Sequence, residues 1–211
     1  MRLLPYKHFR GVNRDDPIRF YYWPIIGALY RRRVELCLAE CNGGERVLEI
    51  GSGSGVTFLN LHQLYREIHG VDLTASVEQV RATFQAMNID VHLQKGDILQ
   101  IPEPSGCFDT VLLISILEHL KPDQQLPALH EIRRVLKPGG QMIYGVPMDR
   151  PFMSFMFGLL GYSNIHDYHL STEKDVRKAA RQVFRQVRII TMKPFGGLFG
   201  AVYEIGHFVK A

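Results

Sequence analysis

Hydrophobic and polar positions change their period along the chain, and this change predicts alternating strands and helices. From residue 45 onward, short apolar runs bounded by glycine, proline or acidic residues alternate with segments whose apolar positions recur every three or four residues. This order is typical of a parallel sheet with helices on both faces. The predicted strands are 46–51, 67–72, 91–96, 108–114 and 141–146, and the predicted helices are 56–65, 74–87 and 122–136.

The last forty or so residues follow a different pattern. Ser171 or Thr172 is a suitable N-cap for one more helix, and apolar runs near 187–192 and 201–209 read as strands. The segment between these runs, 194–200, is rich in glycine and contains a proline. A short turn of this composition joins antiparallel neighbours, so the last two strands are predicted to pair as a hairpin.

The first predicted strand runs directly into a glycine-rich motif. Glu49 closes the strand, and Gly51, Gly53 and Gly55 follow at alternate positions, with Ser52 after the first glycine. Glycine lets the main chain turn sharply and approach a ligand closely, because it has no Cβ. The helix predicted next would direct its amide-rich N-terminus at the same place, which favours an anionic group there.

The motif by itself fits NAD, a nucleoside phosphate or S-adenosylmethionine. Its third glycine follows the second after two positions, whereas a dinucleotide fingerprint has three, and no Gly-Lys-Ser/Thr phosphate loop is present. Both observations disfavour the first two ligands. A glycine-rich turn without a ligand is the remaining alternative.

Acidic residues recur where the next strands end. Asp72 follows Gly51 by twenty-one residues, and a carboxylate at that strand end can accept both hydroxyls of a ribose. Asp97 follows the third strand and precedes Ile98, so the carboxylate can accept from an adenine amino group while the apolar side chain covers the ring. Taken alone, each acid is typical of a solvated residue at the end of a strand. Three acids at the ends of successive strands, however, indicate a nucleoside site.

Together these motifs resemble the class I S-adenosylmethionine-dependent methyltransferases, in particular the small-molecule branch of the methyltransferase type 11 kind. The resemblance implies a Rossmann-like, doubly wound α/β fold with a seven-stranded, mostly parallel sheet over residues 44–211. The seventh strand would run antiparallel between the fifth and the sixth. The segments that carry the resemblance are 47–55, 70–72, 95–102, 108–120 and 136–140.

The resemblance also implies S-adenosylmethionine as the cofactor and assigns residues to its parts. Glu49 and the glycine loop would face the methionine end, Asp72 the ribose, and Asp97 with Ile98 the adenine. Main chain after the fourth strand would complete the wall beneath the sulfonium. The predicted cofactor-binding residues are Glu49, Gly51, Ser52, Gly53, Gly55, Asp72, Leu73, Asp97, Ile98, Ile114 and Ser115.

The methyl group of a sulfonium is already activated, so the protein must mainly align the nucleophile and exclude water. His119, just after the fourth strand, is the predicted catalytic base, since an imidazole titrates near neutral pH. Its alternative is a structural histidine. Some relatives bind a divalent ion through Glu-x-x-Glu-His, but Ser115 stands where the first glutamate would be, so no metal is predicted.

Two segments outside the shared motifs bear on the acceptor. Residues 1–43 form a predicted arm, whose first 33 residues hold eight basic side chains against two acidic ones, interleaved with aromatics. Such an arm can close over the cofactor as a lid, contact an anionic membrane surface, or simply pack on the domain. The resemblance implies that the segment 148–170, after the fifth strand, caps the acceptor. This segment is rich in phenylalanine and methionine, which suits an apolar ligand. The predicted substrate residues are Tyr21, Tyr22, Phe152, Met156, His166 and His169.

The acceptor class follows from these segments. We expect a hydrophobic small molecule or a lipid-linked acceptor, methylated at oxygen, nitrogen or carbon. An RNA or protein substrate bound by the basic arm is the alternative, disfavoured for RNA because no added RNA-binding module or basic stripe continues across the domain. A non-catalytic module that binds S-adenosylmethionine is a further alternative, and so is aminopropyl transfer, for which the acidic amine-binding residues are missing.

Composition is that of one globular domain, with 46% hydrophobic and 22% charged residues in 211. The three cysteines fit neither an even disulfide set nor a four-ligand zinc pattern, which favours a reducing compartment. No apolar run reaches the length that spans a bilayer. A cytoplasmic location is therefore expected, with contact at the inner face of a membrane as an option for residues 1–33.

Overall fold

The computed structural model describes residues 1–9, 16–148, 169–198 and 200–211. Most of the predicted cap over 148–170 lies outside these ranges. Three of the predicted substrate residues, Phe152, Met156 and His166, therefore also lie outside them.

A seven-stranded sheet forms the centre of the fold, in the order β3-β2-β1-β4-β5-β7-β6. The first five strands are parallel, and β7 pairs antiparallel with both β5 and β6. This confirms the predicted Rossmann-like sheet and the hairpin of the last two strands. The strands are β1 Gly44–Ile50, β2 Tyr65–Asp72, β3 Val91–Lys95, β4 Phe108–Ile114, β5 Leu136–Pro147, β6 Arg185–Met192 and β7 Tyr203–Val209.

Helices cover both faces of the sheet in the described ranges. They are α1 Pro24–Leu38, α2 Phe58–Leu61, α3 Val77–Gln85, α4 Pro122–Val135 and α5 Glu173–Val183, with short 3₁₀ turns at Tyr6–His8, Pro17–Tyr22, Leu117–His119 and Phe195–Gly197. Neighbouring strand residues point to opposite faces, so Leu48 packs in one buried cluster with α4 and α5, and Val47 packs in another with α3. Thr172 caps α5 through a reciprocal capping box with Asp175, as one of the two predicted caps.

The prediction of a helix over residues 56–65 is wrong in its length. Only the four residues of α2 are helical, because β2 begins at Tyr65, earlier than expected. Tyr65 is buried in the sheet, and its hydroxyl lies 2.7 Å from the hydroxyl of Thr110. Phe58, Leu61 and Tyr65 share helical spacing in the sequence, but Tyr65 belongs to the strand. A helix this short offers little dipole for an anion, so the loop main chain must supply the binding groups.

The order of the strands places a crevice at one edge of the sheet. The strand order reverses between β1 and β4, since β2 and β3 lie on one side of β1, and β4 and β5 lie on the other. The carboxyl ends of β1 and β4 therefore border a gap of the kind in which open α/β sheets bind ligands. The described part of the predicted arm lies at this edge, with Ile18, Tyr21 and Val34 buried together beside Ile114 at the end of β4. Within the described ranges, no helix combines the length and the apolar composition needed to cross a bilayer.

Candidate active site

The glycine loop after β1 has a backbone that requires glycine. Gly51, Gly53 and Gly55 adopt φ angles of 72°, 48° and 73°. A Cβ atom on Gly51 would lie 1.9 Å from Cδ1 of Ile116, and one on Gly55 would lie 2.6 Å from the ring of Phe58. Both the left-handed conformation and the close contacts therefore exclude larger residues. The loop forms a bare main-chain cradle at the crevice.

Asp72 lies directly beside this cradle. Its Oδ2 accepts a hydrogen bond from the Gly53 amide at 2.8 Å, and its Oδ1 accepts from the amides of Thr74 and Ala75, each at 2.8 Å. The Thr74 hydroxyl also donates to Oδ1, at 3.4 Å, whereas Oδ2 accepts the Gly53 bond alone among the described residues. Each carboxylate oxygen has about two acceptor positions, so Oδ2 has capacity for a ribose hydroxyl. The structure thus brings together the loop and the acid that the sequence pairs, and the arrangement fits a nucleoside.

Glu49 is the buried acid of the site. Its side chain accepts a hydrogen bond from the Thr57 hydroxyl, which fixes the carboxyl below the glycine loop. Burial raises the pKa of Glu49 to about 8, because the ionised form loses its hydration inside the protein. Near neutral pH, without a ligand, the group therefore holds its proton. A cationic or donating ligand group at this position would favour its ionised form.

This pKa gives the first prediction. The pKa of the Glu49 carboxyl rises on folding from 4.5 to about 8, so the protonated carboxyl stabilises the folded state. This contribution to the free energy of unfolding is complete below pH 4.5 and is lost as the pH rises from there through 8. We expect Glu49→Gln, without cofactor, to unfold like the wild type at pH 4.5 but to be more stable at pH 8.5 by about 2–4 kcal/mol. Urea unfolding at the two pH values measures this difference.

The matched control for that prediction is Glu45→Gln, an exposed position on the same strand. Its unfolding free energy should follow the wild type at both pH values. If the free energies of unfolding of Glu49→Gln and the wild type differed by the same amount at pH 4.5 and pH 8.5, the assignment of this titration to Glu49 would be wrong.

The predicted adenine residues lie at the neighbouring strand end. Asp97 is exposed, and its Oδ1 accepts a hydrogen bond from the Leu99 amide at 2.9 Å. Ile98 is 7% exposed and packs in the core cluster with Ile50 and Val71, while Leu73 is 68% exposed. Leu73 is therefore free to contact a ligand, whereas most of Ile98 is already covered by protein. Their assignments to the cofactor stay predictions.

Arg33 of α1 is a site residue that sequence reasoning did not single out. Arg33 is half-buried, and its guanidinium donates to the hydroxyls of Ser115 and Tyr21 at 3.3 Å each and lies 4.1 Å above the ring of Tyr30. Tyr203 closes the other side, with its hydroxyl 3.0 Å from that of Ser115. In the sequence Arg33 is one of three consecutive arginines, and no local pattern marks it as the one beside Ser115.

Among the described residues, no carboxylate lies within ion-pair distance of Arg33. Its Nε is buried and has no hydrogen-bond partner there. Burial raises the pKa of Glu118 overall, whereas the charge of Arg33 acts on this buried carboxyl and lowers its pKa. A guanidinium stays charged at any accessible pH, and a partly buried charge without an ion pair is costly. The site therefore suits the anionic group of a ligand.

Glu118 and His119 point in different directions after β4. Glu118 is buried, its two carboxylate oxygens have no hydrogen-bond partner among the described residues, and burial raises its pKa to about 7. His119, the predicted base, is exposed, with its ring centroid 5.4 Å from that of His169. Glu118 is thus a second candidate for proton transfer, which its position next to His119 in the sequence did not reveal.

The chain returning from the predicted cap meets this turn. The amides of Leu170 and Ser171 donate to the Glu118 carbonyl at 2.8 and 3.1 Å. One ligand atom from each of Glu118, His119 and His169 lies within 4.8 Å of the others, a spacing that could hold a metal ion. The sequence prediction of no metal stays a prediction.

The N-terminal arm contacts the glycine loop through Asp16. Its Oδ2 accepts from the Ser54 amide at 2.9 Å and lies 2.8 Å from the position of a Cβ on Gly53. Burial raises the pKa of Asp16. Of the two tyrosines predicted to meet substrate, Tyr21 lies at the site beside Arg33, whereas the Tyr22 hydroxyl donates to the Leu4 carbonyl within the arm. The arm therefore packs against the loop.

Comparison with known proteins shows which families this chain is similar to. Residues 47–140, from the middle of β1 into β5, match the family model described as "Methyltransferase domain". The chain is 30% identical to a ubiquinone biosynthesis O-methyltransferase of Alkalilimnicola ehrlichii over 59% of this chain and 51% of that protein. It is 33% identical to the uncharacterized methyltransferase YcgJ of Bacillus subtilis over 50% of this chain and 42% of that protein. The chain spans about half the length of these curated relatives.

Solved structures show the same fold at low sequence identity. A geranyl diphosphate C-methyltransferase from Streptomyces coelicolor superimposes with a TM-score of 0.72 at 15% identity, over 95% of this chain and 89% of that one. The N-methyltransferase NodS from Bradyrhizobium japonicum, in complex with S-adenosyl-l-homocysteine, gives 0.69 at 17% identity, over 97% and 96%. The fold and the site define a nucleoside-binding α/β domain. The central part of this chain, residues 47–140, is similar to a methyltransferase domain, and its fold is that of methyltransferases solved with S-adenosylmethionine or S-adenosylhomocysteine.

Proposed function

We propose that the chain transfers the methyl group of S-adenosylmethionine to an oxygen, nitrogen or carbon nucleophile of a hydrophobic small-molecule acceptor. The observation that carries the proposal is the pairing at one sheet edge of the main-chain glycine cradle with Asp72, together with the cation Arg33 beside Ser115, which follows β4. The Asp72 carboxylate suits the hydroxyls of a sugar, the bare main chain of the glycine loop suits a sulfonium nucleoside, and the Arg33 guanidinium suits an anion. The cofactor supplies an activated methyl group when bound.

Each end of the cofactor has a chemical counterpart among the residues of the site. Asp72 would accept from the ribose hydroxyls, as its position beside the loop supports. Arg33 would hold the carboxylate of the methionine end, because its guanidinium lies against Ser115, at the strand end assigned to the sulfonium. Arg33 then gains the counter-ion that the protein does not supply.

The apolar acceptor rests on three observations. The predicted cap over 148–170 is rich in phenylalanine and methionine. The arm contributes the buried aromatic Tyr21 beside Arg33. Two relatives carry names that state apolar acceptors, a ubiquinone biosynthesis enzyme and a geranyl diphosphate enzyme. A lipid-linked acceptor would have the same apolar character as such a small molecule.

The arm would act as a lid over the cofactor. Asp16 contacts the glycine loop directly, so the arm reaches across the crevice rather than away from it. A lid excludes water from the reacting methyl group and improves the alignment of the nucleophile. Contact of residues 1–33 with a membrane stays a prediction, and so does the cytoplasmic location.

Proton transfer is proposed for His119. It follows β4 at the crevice, next to the buried Glu118. A base of this kind removes the proton of a phenol or hydroxyl acceptor as the methyl group is transferred. A carbon acceptor would use the same base after the transfer.

The test is methyl transfer from cofactor labelled in the methyl group to fractions of a cell extract. We expect label in the organic phase, in a small molecule that mass spectrometry identifies. His119→Ala should reduce turnover by about 100-fold while cofactor affinity is unchanged, because general base catalysis contributes about 10²–10⁴-fold.

His62→Ala, an exposed histidine on the connection between α2 and β2, is the matched control and should keep full turnover. Label in the RNA or protein fraction instead would favour the alternative substrate classes. Binding of the cofactor with no labelled product in any fraction would favour a non-catalytic module.

A further inference from the structure

A second group of histidine and acidic side chains lies on the sheet away from the crevice. Glu67 and His69 are two residues apart on β2, so both project from one face, and His69 faces His92 across the parallel pairing of β2 with β3. Asp72 lies three residues further along β2, about 10 Å from His69. The group is therefore separate from the nucleoside site.

The three side chains are already close enough to share an ion. One ligand atom from each of Glu67, His69 and His92 lies within 4.8 Å of the others. Nε2 of His69 is 3.6 Å from Oε2 of Glu67, and the two imidazole rings have their centroids 4.7 Å apart. Ligands of a tetrahedral zinc ion lie about 3.3 Å apart, at about 2.0 Å from the metal. Small side-chain movements would complete this geometry.

The hydrogen bonds of His69 prepare one of its nitrogens for a metal. Nδ1 lies 3.0 Å from Oε1 of Glu103, and that carboxylate also accepts from the Gln94 amide at 2.9 Å. A carboxylate accepts hydrogen bonds, so Nδ1 carries the proton and Nε2 presents its lone pair. Nε2 is buried and has no hydrogen-bond partner among the described residues. Metal-binding histidines are oriented in this way by a carboxylate on the other nitrogen.

Glu67 also interacts with Arg46, which is the competing contact. Nε of Arg46 lies 2.7 Å from Oε2 of Glu67, and its NH2 lies 3.4 Å from Oε1. The Glu67 side chain is 39% exposed, so it has room to rotate and offer one oxygen to a metal while Arg46 keeps the other. Asp90, with Oδ2 3.7 Å from Nε2 of His92, or a water molecule can supply a fourth ligand.

We propose that Glu67, His69 and His92 bind a divalent transition-metal ion of the zinc type. Two imidazoles and one carboxylate suit zinc and its neighbours better than magnesium or calcium, which prefer oxygen ligands alone. The ion would join β3, the strand at the edge of the sheet, to β2. Its role is to stabilise that edge, independently of methyl transfer.

Zinc chloride is the probe, titrated by calorimetry at pH 7.5 into tag-free protein stripped of metal by a chelator. All proteins carry His119→Ala, because Glu118, His119 and His169 form the other group that could bind an ion. We expect one saturable site and a rise in melting temperature with zinc. His92→Ala should weaken zinc binding at least tenfold, and Glu103→Gln should do so by about 10–100-fold, as for other residues that orient a metal ligand.

The control variant is His62→Ala, which should bind zinc as tightly as its parent. His92 is half exposed, so its replacement should fold, and the melting temperature without zinc checks this. The absorption of cobalt(II) in the visible region gives a readout of tetrahedral coordination that does not depend on stability. The proposal is overturned if no saturable site exists, or if His92→Ala and His62→Ala bind zinc equally well.

Discussion

Asp72→Ala is expected to weaken the binding of S-adenosylhomocysteine by at least about 100-fold in isothermal titration calorimetry. The substitution removes the carboxylate that would accept from the ribose, and it also removes the acceptor for the Gly53, Thr74 and Ala75 amides. Hydrogen bonds to a charged group contribute about 1.5–3 kcal/mol each, and about 2.7 kcal/mol corresponds to 100-fold.

Glu45→Ala is the control, since Glu45 is an exposed acid at the start of β1, at the end of the strand opposite the glycine loop. It should bind the ligand with wild-type affinity. Thermal unfolding of both variants separates a loss of the ligand contact from a loss of the fold. If folded Asp72→Ala kept the wild-type affinity, the assignment of this edge to the nucleoside would be wrong.

The second large effect is expected for Arg33→Met, with opposite signs for stability and binding. Methionine fills a similar space without a charge, so the protein without ligand should become more stable, since it no longer holds a partly buried cation that has no ion pair. Cofactor affinity should fall by about 100-fold, because a buried charge pair is lost. Melting temperature and calorimetry measure the two changes on the same sample.

Decarboxylated S-adenosylmethionine identifies the group that Arg33 binds. The wild type should prefer the intact cofactor strongly, and Arg33→Met should lose most of that preference. Arg32→Met is the matched control on the same helix, since the Arg32 side chain is 59% exposed and only 3.5 Å from Glu35 at the surface. An equal preference in Arg33→Met and in the wild type would assign Arg33 to another role, such as an anionic group of the acceptor.

Much of the fold could be predicted because it depends on short-range patterns. The five parallel strands follow from apolar runs of a few residues, and each found its predicted place to within a few positions, except for an earlier start of β5. The glycine loop could be predicted because positive φ angles and close contacts allow glycine alone. Asp72 could be placed beside the loop because parallel strands end at one edge of the sheet.

Where prediction from the sequence failed, local spacing was ambiguous. Tyr65 continues the helical spacing of Phe58 and Leu61, yet it packs in the sheet against Thr110, a contact between residues far apart in the chain. Likewise, Glu118 and His119 are adjacent, and only the packing of the turn decides that the glutamate is buried and the histidine exposed.

The sequence by itself therefore determined the order of strands and helices, the glycine loop and the acids at the strand ends, because strand pleating and glycine geometry act between near neighbours. Tertiary structure alone decided that Arg33, among three consecutive arginines, lies beside Ser115, that Asp16 contacts the loop, and that His69 faces His92. These contacts join distant segments, and they depend on how the helices and strands pack rather than on any local pattern of residues.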